Sequence, residues 1–251
     1  MHILRTPREA QAAILTAELI ARELVLNPCL VLGLATGRTM ELVYAQLVRL
    51  HREKGLDFSR CRTFNLDEYV GLPPSHPGSY HHYMEERLFR PVNLQREQVA
   101  LPDGMAPDLP AECRRYEALI QKAGGIDLLL LGLGQTGHIG FNEPPTPFDS
   151  RTHEARLLLL TRKQNADRFG GNVRAVPATA LTMGIGTILE ARRCLVLVTG
   201  AKKAAILAKV LEGPVTPLVP GSALQRHPDC QVVVDEAAVA QVHQAGGPGG
   251  N

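Results

Sequence analysis

Apolar residues in this chain fall into two alternating patterns, short unbroken runs and longer stretches with helical spacing. PREAQAAILTAELIARELVLNP, residues 7–28, has helical spacing between two prolines, which predicts a helix. CLVLGLA (29–35) is an unbroken run and predicts a buried strand. ELVYAQLVRLHREKG (41–55) predicts a helix closed by Gly55. CRTFNLD (61–67) predicts a strand, GSYHHYMEERLF (78–89) a helix and QVALPDG (98–104) a short strand. LPAECRRYEALIQKAGG (109–125) predicts another glycine-closed helix, and IDLLLLGLG (126–134) the clearest buried strand. In the second half, EARLLLLT (154–161) reads as strand and TALTMGIGTILEARR (179–193) as helix. CLVLVTG (194–200) reads as strand, AKKAAILAKVLEG (201–213) as helix and CQVVVDEA (230–237) as the last strand.

Unbroken Val/Ile/Leu runs joined by helices predict a mostly parallel central sheet with helices on both faces. The expectation is one α/β domain over residues 1–251, three-layered and Rossmann-like, with a disordered tail over 244–251. In such folds ligands bind outside the carboxyl ends of the strands, so chemistry is sought there.

Composition narrows the function classes. Hydrophobic residues make up 45% and charged residues 21%, ordinary for a soluble globular protein. Aromatics are 4% with no Trp, which disfavours a stacking platform for single-stranded nucleic acid. The net charge of +2 is spread along the chain, against a general nucleic-acid binder. No signal peptide or long apolar span is visible, so the expectation is a cytoplasmic protein without membrane contact. Cysteines stand at 29, 61, 113, 194 and 230 without a CxxC pair. Four of them (Cys29, Cys61, Cys194, Cys230) open apolar runs, which predicts buried, reduced thiols.

Three expected strand ends carry candidate chemistry. After CLVLGLA comes Thr36-Gly37-Arg38-Thr39. A glycine turn at a helix start suits an anion, usually phosphate; an ordinary turn with a threonine cap is the alternative. Neither GxxxxGK[ST] nor GxGxxG is present. CRTFNLD ends in Asp67, with Glu68 next, a candidate general base or a solvated acidic pair. After IDLLLL comes GLGQTGHIGFNEP (132–144), where Gly132, Gly134 and Gly137 permit close backbone approach. His138 can move protons near neutral pH, and Glu143 can orient its ring. His138 and Glu143 lack helical metal spacing, and His76, His81 and His82 form no facing set, so no metal is expected. Arg168 and Lys203 follow apolar runs and can add to an anion site. Without GxSxG or a cysteine in the glycine loops, the set points to acid–base chemistry on a small phosphorylated molecule.

FNLDEYVGLPPSHPGSYHHYM and GLGQTGHIGFNEP resemble the two signature regions of glucosamine-6-phosphate deaminases, in the glucosamine/galactosamine-6-phosphate isomerase family. The resemblance continues through SRTH, NADRFGG, VPATALTMGIGTIL and GAKKA, over nearly the whole chain. It implies conversion of glucosamine 6-phosphate and water to fructose 6-phosphate and ammonia, with no metal or organic cofactor. By motif, Asp67 would move the C2 proton to C1, His138 would open the ring, and Glu143 would hold His138. Thr36, Gly37, Arg38 and Thr39, with Arg168 and Lys203, would hold the phosphate. Residues 145–175 would form a mobile lid, and a homo-oligomer is possible.

Departures from the pattern are Thr136, where some relatives have an Asp in the relay, and Arg38 and Met40 in the phosphate loop. Thr136 cannot ionise, so His138 is expected to rely on Glu143. His153 and Ala155 stand where allosteric relatives have basic residues, so no activation by N-acetylglucosamine 6-phosphate is expected. The rival readings are a galactosamine-6-phosphate deaminase/isomerase, a 6-phosphogluconolactonase and a non-catalytic sugar-phosphate sensor.

Overall fold

A computed structural model of the chain describes residues 1–243; the tail expected over 244–251 lies outside the described residues. In chain order the strands and α-helices are β1 (His2–Thr6), α1 (Glu9–Leu26), β2 (Val31–Leu34), α2 (Arg38–Lys54), β3 (Arg62–Asn65), β4 (Asp67–Tyr69), α3 (Tyr80–Met84), β5 (Val99–Ala100) and α4 (Leu109–Lys122). They continue with β6 (Leu128–Gly132), β7 (His153–Arg156), α5 (Leu159–Asn165), β8 (Thr179–Thr182), α6 (Ile185–Leu189), β9 (Arg193–Val198), α7 (Ala204–Glu212), β10 (Cys230–Asp235) and α8 (Glu236–Val239).

Seven strands form the central sheet in the order β1-β10-β9-β6-β2-β3-β5, and every pairing is parallel. Every residue of β2 is buried, and Leu129, Leu130 and Leu131 of β6 are 0% exposed. Central strands buried on both sides require cover on both faces, which the helices between the strands supply. That is the expected α/β arrangement. Among the described residues no helix is long and apolar enough to cross a membrane.

A second sheet of three antiparallel strands, β4-β8-β7, lies outside the expectation. The chain changes sheets at Leu66. Its N–H donates to Leu34 O at 3.1 Å in the main sheet, and its carbonyl accepts from Met183 N at 2.7 Å beyond β8. CRTFNLD is therefore two strands, and Asp67 opens the second of them.

Other segments also correct the sequence reading. In EARLLLLT the strand stops at Arg156 and α5 begins at Leu159. Its leucines imitate a buried strand, yet Leu158, Leu159 and Leu160 are 41%, 58% and 44% exposed. TALTMGIGTILEARR divides into β8 and the short α6, because Thr179–Thr182 pairs on both sides, with β4 and with β7. The helix over 78–89 narrows to α3 and then widens into a π-turn over Glu85–Phe89. The short strand over 98–104 contracts to the two residues of β5. β1 was not expected; it is a half-exposed edge strand without an apolar run. Cys29 is exposed, contrary to expectation, while the other four cysteines are buried. Burial pushes the Cys61 and Cys230 thiols up to about 12, which keeps them unreactive.

Candidate active site

The cleft lies at the carboxyl ends of β2, β6 and β9, where a parallel sheet presents its loops. Its first wall is the turn between β2 and α2. Gly37 is the N-cap of α2 at φ +111°, a conformation that favours glycine. It brings no side-chain cap, so the first N–H groups of α2 are left for a ligand, and the threonine-cap alternative is not what the structure shows. Thr36, Gly37, Arg38 and Thr39 all line the cleft.

Lys203 reaches the same wall from the turn after β9. Its Nζ donates to Leu133 O at 2.6 Å, and burial pushes its ammonium down to about 8. Gly200 N donates to Asp235 Oδ1 at 3.0 Å, which fixes the start of that turn. Arg168 is not among the cleft-lining residues. Its guanidinium lies 4.0 Å from the Tyr83 ring centre and 3.6 Å from Glu41. The Tyr83 hydroxyl donates to Gly37 O at 2.9 Å, so one tyrosine touches both the turn and Arg168.

Asp67 forms the floor. It is 6% exposed, and its Oδ1 is buried without a hydrogen-bond partner. Desolvation and then the neighbouring Glu68 charge push its carboxyl up to about 8. Glu68 is 1% exposed and points away, accepting from Tyr69 N, Tyr80 N, His81 N and the His81 ring. A carboxylate pinned by backbone donors is a cap for α3, and Asp67 is left as the free one.

The opposite wall is the loop after β6. His138 Nδ1 lies 2.7 Å from Thr136 Oγ1 and 3.2 Å from Glu143 Oε2. Thr136 Oγ1 donates to Glu143 Oε2 at 3.0 Å. His138 therefore does not rely on Glu143 alone; Thr136 stands between them. The other Glu143 oxygen accepts from Thr161 Oγ1 and, at 3.4 Å, from Leu158 N. Burial alone would raise the Glu143 carboxyl, but hydrogen bonds from His138, Thr161 and Thr136 and the His138 charge bring it below its usual range. Gly134 lies under the ring. A Cβ there would stand 2.1 Å from His138 Nε2, so a methyl group would occupy the space of the imidazole.

These walls enclose a small cavity of about 150 Å³, also lined by Tyr80, Gln164 and Asn165. A larger hollow of about 650 Å³ beside Phe89, Arg90 and Arg115 contains no comparable convergence of base, imidazole and helix N-terminus. Among the described residues no group of three or more His, Cys, Asp or Glu is placed to hold a metal ion. Tyr83, Thr161 and Asn165 were missed in the sequence. Tyr83 and Asn165 lie inside quoted motifs and Thr161 outside them, but each acts through contacts between distant segments, such as Asn165 Nδ2 donating to the Tyr69 hydroxyl at 2.9 Å.

A family model described as glucosamine-6-phosphate isomerases/6-phosphogluconolactonase matches residues 8–234. A glucosamine-6-phosphate deaminase of Bacillus velezensis is 50% identical over 222 residues, covering 88% of this chain and 92% of that one. Glucosamine-6-phosphate deaminase 2 of Giardia intestinalis is 51% identical, with 92% and 88% covered. Among solved structures, a monomeric glucosamine-6-phosphate deaminase superposes with a TM-score of 0.93 at 44% identity, covering 96% of this chain and 100% of that one. A 6-phosphogluconolactonase from Trypanosoma cruzi has a TM-score of 0.75 at 19% identity over 95% and 96% of the chains, a likeness of fold.

Proposed function

The chain belongs to the glucosamine-6-phosphate isomerase/6-phosphogluconolactonase family, and on that premise we propose that it converts glucosamine 6-phosphate and water to fructose 6-phosphate and ammonia. The observation that carries this reading is the pair of walls facing one cleft. One offers a buried carboxyl with an unpartnered oxygen, Asp67; the other offers an imidazole in a hydrogen-bonded relay.

The phosphate binds the N–H groups and hydroxyls of the 36–39 turn, with Lys203 supplying positive charge and Arg168 approaching from the rim. This fixes the sugar carbons between Asp67 and His138. Glu143 is ionised and can only accept, so Thr136 donates to it and in turn accepts from His138 Nδ1–H. Nε2 is left as a base. It takes the proton of the anomeric hydroxyl and returns one to the ring oxygen, and the pyranose opens. Asp67 then removes the C2 proton, giving an enolamine, and delivers a proton to C1. The resulting C2 imine adds water and expels ammonia, leaving the ketone. The step that breaks the C–N bond is hydrolytic, and it follows an isomerase-type proton shift. Each positioned acid or base typically contributes about 10²–10⁴-fold. Holding the substrate and excluding water supply the remainder, with residues 145–175 as the covering segment.

The test is ammonia and fructose 6-phosphate release from glucosamine 6-phosphate, beside galactosamine 6-phosphate and 6-phosphogluconolactone. Ammonia chiefly from glucosamine 6-phosphate is the expected result. Turnover confined to either of the other two compounds, or none with folded protein, overturns the reading.

A further inference from the structure

Glu143 divides its two oxygens between two parts of the molecule. Oε2 faces the relay, at 3.0 Å from Thr136 Oγ1 and 3.2 Å from His138 Nδ1. Oε1 faces α5, where it accepts from the Thr161 hydroxyl and from Leu158 N at 3.4 Å. Thr161 is 2% exposed and sits in the first turn of α5. Leu158, the N-cap of that helix, supplies no side-chain cap; its N–H and the Thr161 hydroxyl both point to Glu143. A carboxylate at a helix N-terminus is held by N–H donors and by the positive end of the helix dipole. Turning the Glu143 carboxylate part-way about its last bond would take Oε2 out of line with the relay; the Thr161 hydroxyl on Oε1 opposes that rotation.

We propose that Thr161 is a positioning residue for the His138 relay: its hydroxyl fixes Glu143 Oε1, so the orientation of the His138 ring depends on α5 being docked. Thr161 acts through Glu143 on the imidazole. The α5 helix belongs to the segment, 145–175, that covers the cleft in the reading above. Docking of that segment and assembly of the relay are then one event, and an undocked α5 leaves His138 without a defined tautomer. The inference rests on the proposed deaminase reading for its meaning in turnover, while the physical link from Thr161 to the His138 ring stands in the ligand-free protein.

Two measurements test it on the full-length protein. The first is the ¹⁵N spectrum of the His138 ring without ligand, assigned by its loss in His138→Asn. Wild type is expected to show the Nδ1–H tautomer. Thr161→Val, nearly the same shape but without the donor, is expected to shift the ring nitrogens toward a tautomer mixture, and Thr161→Ser to restore them. Unchanged ring shifts in Thr161→Val overturn the proposal. The second is turnover of glucosamine 6-phosphate. A hydrogen bond to a charged group is worth about tenfold or more in an equilibrium. The kcat of Thr161→Val should fall by roughly that factor, with KM within about twofold, and Thr161→Ser should recover most of it. Added to Glu143→Gln, Thr161→Val should cost little more, because the two act as one unit. Fully multiplicative losses overturn the proposal, as does a defect confined to KM. A wild type that releases no ammonia sinks the deaminase reading, and the ring spectra still decide the link.

Discussion

The two carboxylates of the cleft, Asp67 and Glu143, are buried to nearly the same degree, at 6% and 7% exposure. Their surroundings push them in opposite directions. Asp67 has an oxygen without a donor beside the charge of Glu68, and burial raises its carboxyl to about 8. Glu143 has donors on both oxygens and a histidine beside it, and its carboxyl falls below the usual range. Burial raises both carboxyls, and Asp67 is the more deeply desolvated of the two; at Glu143 the donors outweigh burial, while at Asp67 nothing offsets it. A group that must exchange protons with carbon needs an open oxygen and a pKa near the working pH. A group that must keep an imidazole in one tautomer needs to stay charged. Environments that separate the pKa values of paired acids assign their roles.

The largest effect should come from removing the open carboxylate. Asp67→Asn should reduce kcat by about 10²–10⁴-fold. It also removes a buried group whose charge is costly, so its Tm should stay level or rise, by about 2–4 °C for each kcal/mol gained. A Tm well below wild type would show that Asp67 serves the fold, and the contrast with Glu143 would collapse. Glu143→Gln is expected to lose less, about ten- to a hundredfold in kcat, because the imidazole remains while its orientation weakens. A loss equal to that of Asp67→Asn would place both acids in the proton transfer itself.

The pH dependence sharpens the comparison further. In the proposed reaction Asp67 acts as a deprotonated base, so kcat/KM should rise through pH about 8, while the Lys203 ammonium, lowered to about 8 by burial, loses its charge as pH rises further. The profile should be a bell centred near the point where the two overlap. The Glu68 charge raises the Asp67 carboxyl, so Glu68→Gln should move the acidic limb to lower pH. A limb that stays in place would mean burial alone sets it. The smallest expected effect is none at all. N-acetylglucosamine 6-phosphate should leave the rate at low substrate unchanged, because Ala155 is buried in β7 and His153 is engaged with Arg151 O at 2.8 Å. A clear rise in rate would relocate regulation to residues outside both acids.

Much of this was legible in the chain. The run Leu128–Leu131 read as the clearest buried strand, which it is, and IDLLLLGLG placed the glycine loop at its end. The motifs carrying Asp67, His138, Glu143 and the 36–39 turn were visible as residue types at strand ends; the structure brings Asp67, His138 and the turn to one cleft, with Glu143 behind His138. The small antiparallel sheet was hidden because its strands are three or four residues long and carry no unbroken apolar run. Leu157–Leu160 misled for the opposite reason, since a run of leucines does not state which side will be wet. Arg168 is visible in the sequence as a candidate basic residue, but it does not line the cleft, and its stacking on Tyr83 depends on a segment far away in sequence. Because Thr136 cannot ionise, His138 was expected to rely on Glu143 alone; hydrogen-bond geometry, which the sequence does not contain, makes Thr136 the bridge.

Gly134 has no functional group, yet its missing side chain is the seat of the His138 ring. A side chain at this position would have to share the space of the imidazole, so substitution here is expected to lower turnover by displacing His138, although residue 134 contributes no polar group of its own. Gly134→Ala is therefore expected to lower kcat with every polar group of the cleft retained, and an unchanged kcat would show that the His138 ring moves aside at no cost.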